Sequence, residues 1–217
     1  LNLNGLGTRI AIIDTGINYT NPAFLTEFGD SRIIALWDQE DQSHTPPEGF
    51  LYGSFYGKDL LGESLLSSAP ETVILSKDIP SGHGTSLAGI AAGNPNPESD
   101  FRGVAPLSSL IVVKLKQAKP YLKDYYRVPR DAVCYEEGDI IAALKFVTAY
   151  NEPFQTPLCI LIGVGTSYGN HNGDSILERY INRLCSRPNI AVVCPGGNEG
   201  NTAHHARVVF PDTESSP

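Results

Sequence analysis

Three stretches of this sequence hold residue types that could together cleave an acyl bond. In IAIIDTG an apolar run ends at Asp14 and Gly16 turns the chain. In SGHGTSLAGIAAG, His83 stands between two glycines at the mouth of a small-residue run. In VVCPGGNEGN, Asn198 follows a strand-like run and two glycines. A carboxylate that holds an imidazole makes a general base at neutral pH, and an amide can donate to an oxygen on which charge develops. Taken singly, each residue has a plainer use. An Asp ending a strand caps a turn, a His beside glycine sits in solvent, and an Asn before Glu-Gly shapes a loop. Their order, and their placement at strand ends and a helix start, is what points to chemistry.

A nucleophile is harder to find. Ser86 in GTSLAG lies three positions after His83 on the same expected helix, a spacing with little freedom for in-line attack, so it reads as a helix-packing residue. Ser167 in GTSYGN precedes Asn198 and reads as a substrate-side residue. Nineteen residues follow Asn198, and their Ser215 and Ser216 sit in a polar tail with no helix behind them. Neither makes a credible nucleophile.

The elements that would position these groups follow from hydrophobic patterning. Residues 8–14, 31–38, 109–115, 158–164 and 189–195 are β-branched runs, the later ones almost continuously apolar, as in a parallel sheet covered on both faces. Between them, His83–Ala92 starts after a glycine and stops at Gly93-Asn94-Pro95. Residues 137–150 put Ile140, Ile141, Leu144, Val147 and Tyr150 on one helical face. Residues 174–186 do the same with Ile176, Leu177, Tyr180, Ile181 and Leu184, with Asp174 as a cap. This alternation predicts an α/β layered fold with a mainly parallel sheet. Two long stretches, 39–77 and 117–136, break the rhythm and read as loop insertions. The closing ARVVF at 206–210 starts strand-like and then gives way to a polar tail, so the domain reads as cut at its C-terminal end.

Composition bounds the remaining possibilities. With 217 residues, 41% hydrophobic and 18% charged, the chain suits one globular domain. A net charge of −8 without any long basic run argues against nucleic acid as a partner. No apolar run is long enough to span a bilayer, so no membrane segment is expected. The N-terminus has neither Met nor a basic leader and reads as a processed or excised start. Cys134, Cys159, Cys185 and Cys194 form no C-x-x-C pair, which removes zinc and thioredoxin-type chemistry. Cys159 and Cys194, inside apolar runs, read as buried structural thiols. The Asp-Thr-Gly triplet at 14–16 also matches the aspartic proteases, but those need two such carboxylates in a mostly β fold.

The three motifs, together with GVAP at 103–106, resemble the subtilisin-like serine proteases, the subtilase family. IALWDQ followed by TPPEGFLYG, and VPRDAVCYEEGDI, are similar to clostridial-type members that include spore-germination proteases. The resemblance covers nearly all of residues 7–201 and implies a three-layer subtilisin-like fold, incomplete at its C-terminal end. It implies that Asp14 orients His83, that His83 is general base and then general acid, and that the Asn198 amide donates to the oxyanion. Gly163, Val164 and Gly165 would line one side of a substrate pocket, and Pro195, Gly196 and Gly197 the other. A polypeptide substrate would be gripped by main-chain pairing, and Glu199 at the rim would favour a basic side chain.

The family nucleophile sits in a G-T-S-x-A-x-P-like motif after the oxyanion Asn, so the resemblance places it beyond residue 217 and implies an inactive fragment of an active endopeptidase. The alternative is a pseudoprotease that acts as a binding or regulatory module. A propeptide partner, a secreted or spore-associated location, no cofactor and no catalytic metal complete the expectation. Calcium is a common stabiliser of the family, and NPNPESD at 94–100 offers oxygen ligands for it.

Overall fold

The computed structural model describes residues 3–79, 81–166, 168–170, 172–203 and 206–208. Each β-branched run forms a strand: β1 (Arg9–Asp14), β2 (Ile33–Asp38), β4 (Ser109–Lys114), β5 (Leu158–Ile162) and β6 (Ile190–Val193). A further short strand, β3 (Ser54–Gly57), joins them. The sheet runs β3-β2-β4-β1-β5-β6, and every neighbouring pair is parallel except β2 with β3. It is open, not closed into a barrel.

Its two faces are covered by helices α1 (Lys58–Leu66), α2 (Pro70–Val73), α3 (His83–Ala92), α5 (Glu137–Asn151) and α6 (Ile176–Cys185) in a three-layer α/β arrangement, and the short α4 (Pro120–Tyr125) lies in the connection between β4 and α5. Alternation along β1 separates two cores. Ala11 and Ile13 pack with Ala143, Leu144 and Val147 of α5, whereas Ile10 and Ile12 pack with Ala88 and Ala92 of α3. Each fully buried Ile or Leu contributes about 2 kcal/mol to such packing. Asp14 is next in the even series after Ile10 and Ile12, and therefore emerges on the α3 side of the sheet. The period of two thus aims this carboxylate.

The small residues of α3 have a structural reason. Gly84, Ala88 and Ala92, four apart on one face, are the buried residues of the helix. A β-carbon on Gly84 would overlap the Gly16 carbonyl and crowd the Asp14 side chain at 3.1–3.2 Å. Only glycine lets α3 come this close to the end of β1.

Several expectations are corrected. The stretch 39–77 is not a long loop: it supplies β3, α1 and α2, and its Phe50 and Tyr52 pack on Trp37 with ring centroids 4.6 and 5.4 Å away. Leu61 of α1 is fully buried in the α3-side core. The stretch 117–136 carries the short α4 and a bridge between Gln117 and Tyr135. Helix α6 is capped by Ser175, not Asp174. Ser175 and Glu178 form a reciprocal capping box, while Asp174 accepts hydrogen bonds from Asn170 and Asn172. Cys194 falls just past β6 and is exposed, and Cys159 is only half-buried within β5, where burial pushes its thiol pKa up. Residues 206–208 of ARVVF form no strand, and the rest of that run lies outside the described residues.

The 94–100 stretch closes into a tight turn in which Asn96 and Phe101 exchange backbone hydrogen bonds of 2.7 and 3.2 Å, and the Asn96 side chain accepts from the Glu98 amide. Among the described residues no group of three or more His, Cys, Asp or Glu side chains is placed to hold a metal ion. No helix among them is long and apolar enough to cross a membrane.

Candidate active site

The C-terminal end of β1 and the N-terminal end of α3 bring Asp14 and His83 together. His83 Nδ1 lies 2.8 Å from Asp14 Oδ1 and 2.9 Å from Oδ2. The carboxylate is fully buried, while the imidazole is 49% exposed. A buried acceptor against Nδ1 fixes the tautomer with the proton on Nδ1, which leaves Nε2 as a lone-pair base on the open side of the ring. Asp14 Oδ1 also accepts the Thr15 amide at 2.6 Å.

On its other side the carboxylate rests against Gly163, the first residue after β5, where an added β-carbon would overlap Oδ2. Gly163 is itself held by its amide, which donates to the Ile13 carbonyl at 2.9 Å. Val164 turns away from this side and packs on the α5-side core. Gly165 lies beside Pro195, whose Cγ would be 3.5 Å from an added β-carbon. The segments after β5 and β6 therefore run side by side at the C-terminal edge of the sheet, as the parallel pairing of Leu161 with Val193 requires.

Gly196 borders open space, and Gly197 adopts a left-handed φ of +78° next to the Glu199 side chain. The Glu199 carboxylate accepts the Asn198 amide N–H at 2.9 Å, so this acid is committed to its own turn. Asn198 is exposed, and among the described residues no hydrogen bond joins it to Asp14 or His83. Ser86 is exposed and donates to the Gly82 carbonyl at 2.9 Å, which corrects its packing role and aims its hydroxyl back along its own helix. Ser167, Ser215 and Ser216 lie outside the described residues.

Two features escaped sequence reasoning. Asp78, buried at 8% exposure, accepts from Thr15 Oγ1 and from the amide and hydroxyl of Thr85. Beside the pair, a hollow is bounded by Thr15, Ser81, Ile79, Leu115, Val133 and Tyr135. Its last two walls come from the 117–136 stretch. Burial, reinforced by the charges of Asp14, Glu40 and Asp78, pushes the Tyr135 hydroxyl up to about 12, so it stays a donor at neutral pH. Lys114 at the rim is held by Asp38 and Glu40 at 3.4 and 3.2 Å.

Comparison with known proteins places the chain in a family and a fold. A sequence model described as the subtilase family matches residues 5–128, more than half of the chain. Thermitase from Thermoactinomyces vulgaris is 25% identical over 199 residues, covering 92% of this chain and 50% of thermitase. The solved structure of the Clostridium perfringens CspB protease superposes with a TM-score of 0.78 at 33% identity, over 94% of this chain and 38% of that one. Sphericase shares the fold, with a TM-score of 0.58 at 20% identity over 91% of this chain and 48% of its own. The chain thus spans half or less of the length of these relatives.

Proposed function

The chain belongs to the subtilase family of serine proteases, and from that premise we propose that it supplies the carboxylate and the imidazole of an Asp-His-Ser triad that hydrolyses peptide bonds. The observation that carries the reading is the pairing of His83 Nδ1 with the buried Asp14 carboxylate at 2.8 and 2.9 Å. In this scheme Nε2 takes the proton from a serine hydroxyl as its oxygen attacks the peptide carbonyl, then returns it to the leaving amine. Asp14 remains ionised, holds the tautomer and stabilises the imidazolium. Asn198 donates its side-chain amide to the oxyanion, and the segments 163–165 and 195–197 take the substrate main chain. The hollow beside the pair, whose walls are Ile79, Leu115, Val133 and Tyr135 together with Glu40, Lys114 and Gln117, receives a substrate side chain.

We place the serine outside these 217 residues, because Ser86 is bonded back to its own helix and the sequence after Asn198 holds no G-T-S-x-A-x-P-like motif. The isolated chain is then inactive, since loss of a triad member leaves at most a residual ~10³–10⁴-fold effect from binding and the oxyanion site. Labelling of the full-length protein by a fluorophosphonate probe tests the reading. Labelling that disappears in His83→Ala supports it. An unlabelled wild-type protein supports instead a pseudoprotease that binds polypeptides without cleaving them.

A further inference from the structure

We propose that Asp78 is a positioning residue that locks the geometry between Asp14 and His83. The proposal rests on the role assigned above to that pair, and it starts from a deficiency of α3. The helix begins after Gly82, a left-handed residue at φ +65° without a side chain to cap it. Its first amides must find acceptors elsewhere. The His83 amide donates to Ser81 Oγ at 3.3 Å, the Gly84 amide to Thr15 Oγ1 at 3.0 Å, and the Thr85 amide to Asp78 Oδ2 at 2.7 Å. A carboxylate here also complements the positive end of the helix.

The hydroxyls fix the direction of the network. Thr15 Oγ1 already accepts from Gly84, and Thr85 Oγ1 already accepts from the Asn18 amide at 2.8 Å. Both hydroxyl protons therefore point at Asp78, Thr15 to Oδ1 and Thr85 to Oδ2, each at 2.5 Å. Among the described residues Asp78 faces three donors and no acceptor. One of its oxygens holds the residue next to Asp14, and the other holds the residue two beyond His83. The backbone is pressed into the same place, since a β-carbon on Gly16 would stand 3.2 Å from the Lys77 carbonyl and 3.4 Å from the Asp78 Cα. Burial at 8% exposure removes competing water from the carboxylate. An asparagine satisfies the network only in part: with its Oδ1 on the two Thr85 donors, its NH₂ meets Thr15 Oγ1 by taking that hydroxyl's remaining lone pair, which leaves the Thr15 proton without its acceptor.

The test is ¹⁵N-histidine NMR of the chain, with His83 assigned through His83→Gln. The wild type is expected to show His83 as the Nδ1–H tautomer with a downfield, slowly exchanging Nδ1 proton. Asp78→Asn is expected to lose that proton signal and to mix the two tautomers while the fold persists by circular dichroism. A merely structural Asp78 would lower the unfolding midpoint and leave the native tautomer unchanged, which overturns the proposal. Should Asp78→Asn fail to fold, Thr85→Val and Thr15→Val each remove one hydroxyl bond. Partial loss of the same signal supports the clamp, and wild-type spectra in both overturn it. A wild type lacking the Nδ1–H signal refutes the pairing of His83 with Asp14 itself, so the two failures are distinct.

Discussion

Gly163 backs directly onto the Asp14 carboxylate: a β-carbon on it would overlap Oδ2 and come 2.7 Å from Leu87 of α3. The backbone of the segment after β5 is therefore one wall of the site that holds the acid, and it also belongs to the expected substrate track. Gly163→Ala would push Asp14 off His83. A displacement of about 1 Å at reacting groups costs on the order of 10²-fold in rate, and forcing a methyl group into a packed site costs about 1–3 kcal/mol. In the full-length protein kcat/KM should fall by about two orders of magnitude, with a lowered urea midpoint. An unchanged rate would show that the carboxylate has room to move.

Asp14→Asn leaves the shape of the site intact and reverses one hydrogen bond. The asparagine NH₂ would donate to Nδ1, moving the imidazole proton to Nε2, where a base is needed. Serine proteases with this arrangement lose about 10⁴-fold in kcat on that change. The same loss is expected here in the full-length protein, with KM little altered. Retention of more than a tenth of the activity would remove Asp14 from the mechanism.

The parts legible in the sequence were those with a strong period. The central strands β1, β4 and β5 announced themselves as apolar runs because both faces of the sheet are covered, and α3 was bracketed by Gly82 and Gly93. Asp14 and His83 were legible because chemistry, glycine and element ends coincide in their motifs. β3 was hidden because SFYG is four residues long and owes its place to pairing with β2 beneath the Trp37 cluster. Asp78 carries no motif of its own. The available hint was indirect: a helix starting after glycine needs a cap from elsewhere. The walls Val133 and Tyr135 arrive from a stretch whose pattern fits no period, so only tertiary packing reveals them.

A separate carboxylate sets an acid-stability prediction. Burial pushes Asp41 up, but hydrogen bonds from the Ser43 and Tyr56 hydroxyls and the Ser43 amide outweigh it and hold the carboxyl at about 2. The folded value lies below that of the unfolded chain, near 4. This contribution is therefore complete above about pH 4 and is lost as pH falls toward 2. After allowance for partial solvent exposure it amounts to roughly 1–2 kcal/mol. Asp41→Asn should be less stable than wild type at neutral pH, and the two urea curves should converge by about pH 2. Parallel curves across that range would deny Asp41 its role.

The end of α3 opposite His83 is held by a charge with no acidic partner among the described residues. Arg32, 8% exposed, donates from Nη1 to the Ser108 carbonyl at 2.9 Å and from Nη2 to Ala23 and Ala92 at 2.7 and 2.5 Å. Burial lowers its pKa, yet a guanidinium remains charged at neutral pH. Ala92 ends α3, so the cation sits against the negative end of the helix and ties it to the turn before β2 and the loop before β4. Arg32→Met keeps the apolar stem and removes the guanidinium from the buried Ser108 and Ala92 carbonyls, while Ala23 keeps the Asn94 amide at 2.9 Å, at a cost of about 2–4 kcal/mol. Arg32→Lys offers one ammonium to three carbonyls spread around a planar fork, and should recover only part of that stability. Because Ser81, Thr15 and Asp78 hold the other end of the helix independently, the His83 tautomer should survive in folded Arg32→Met while its urea midpoint drops. Loss of the tautomer together with the stability would show instead that α3 moves as one rigid rod pivoting on Arg32.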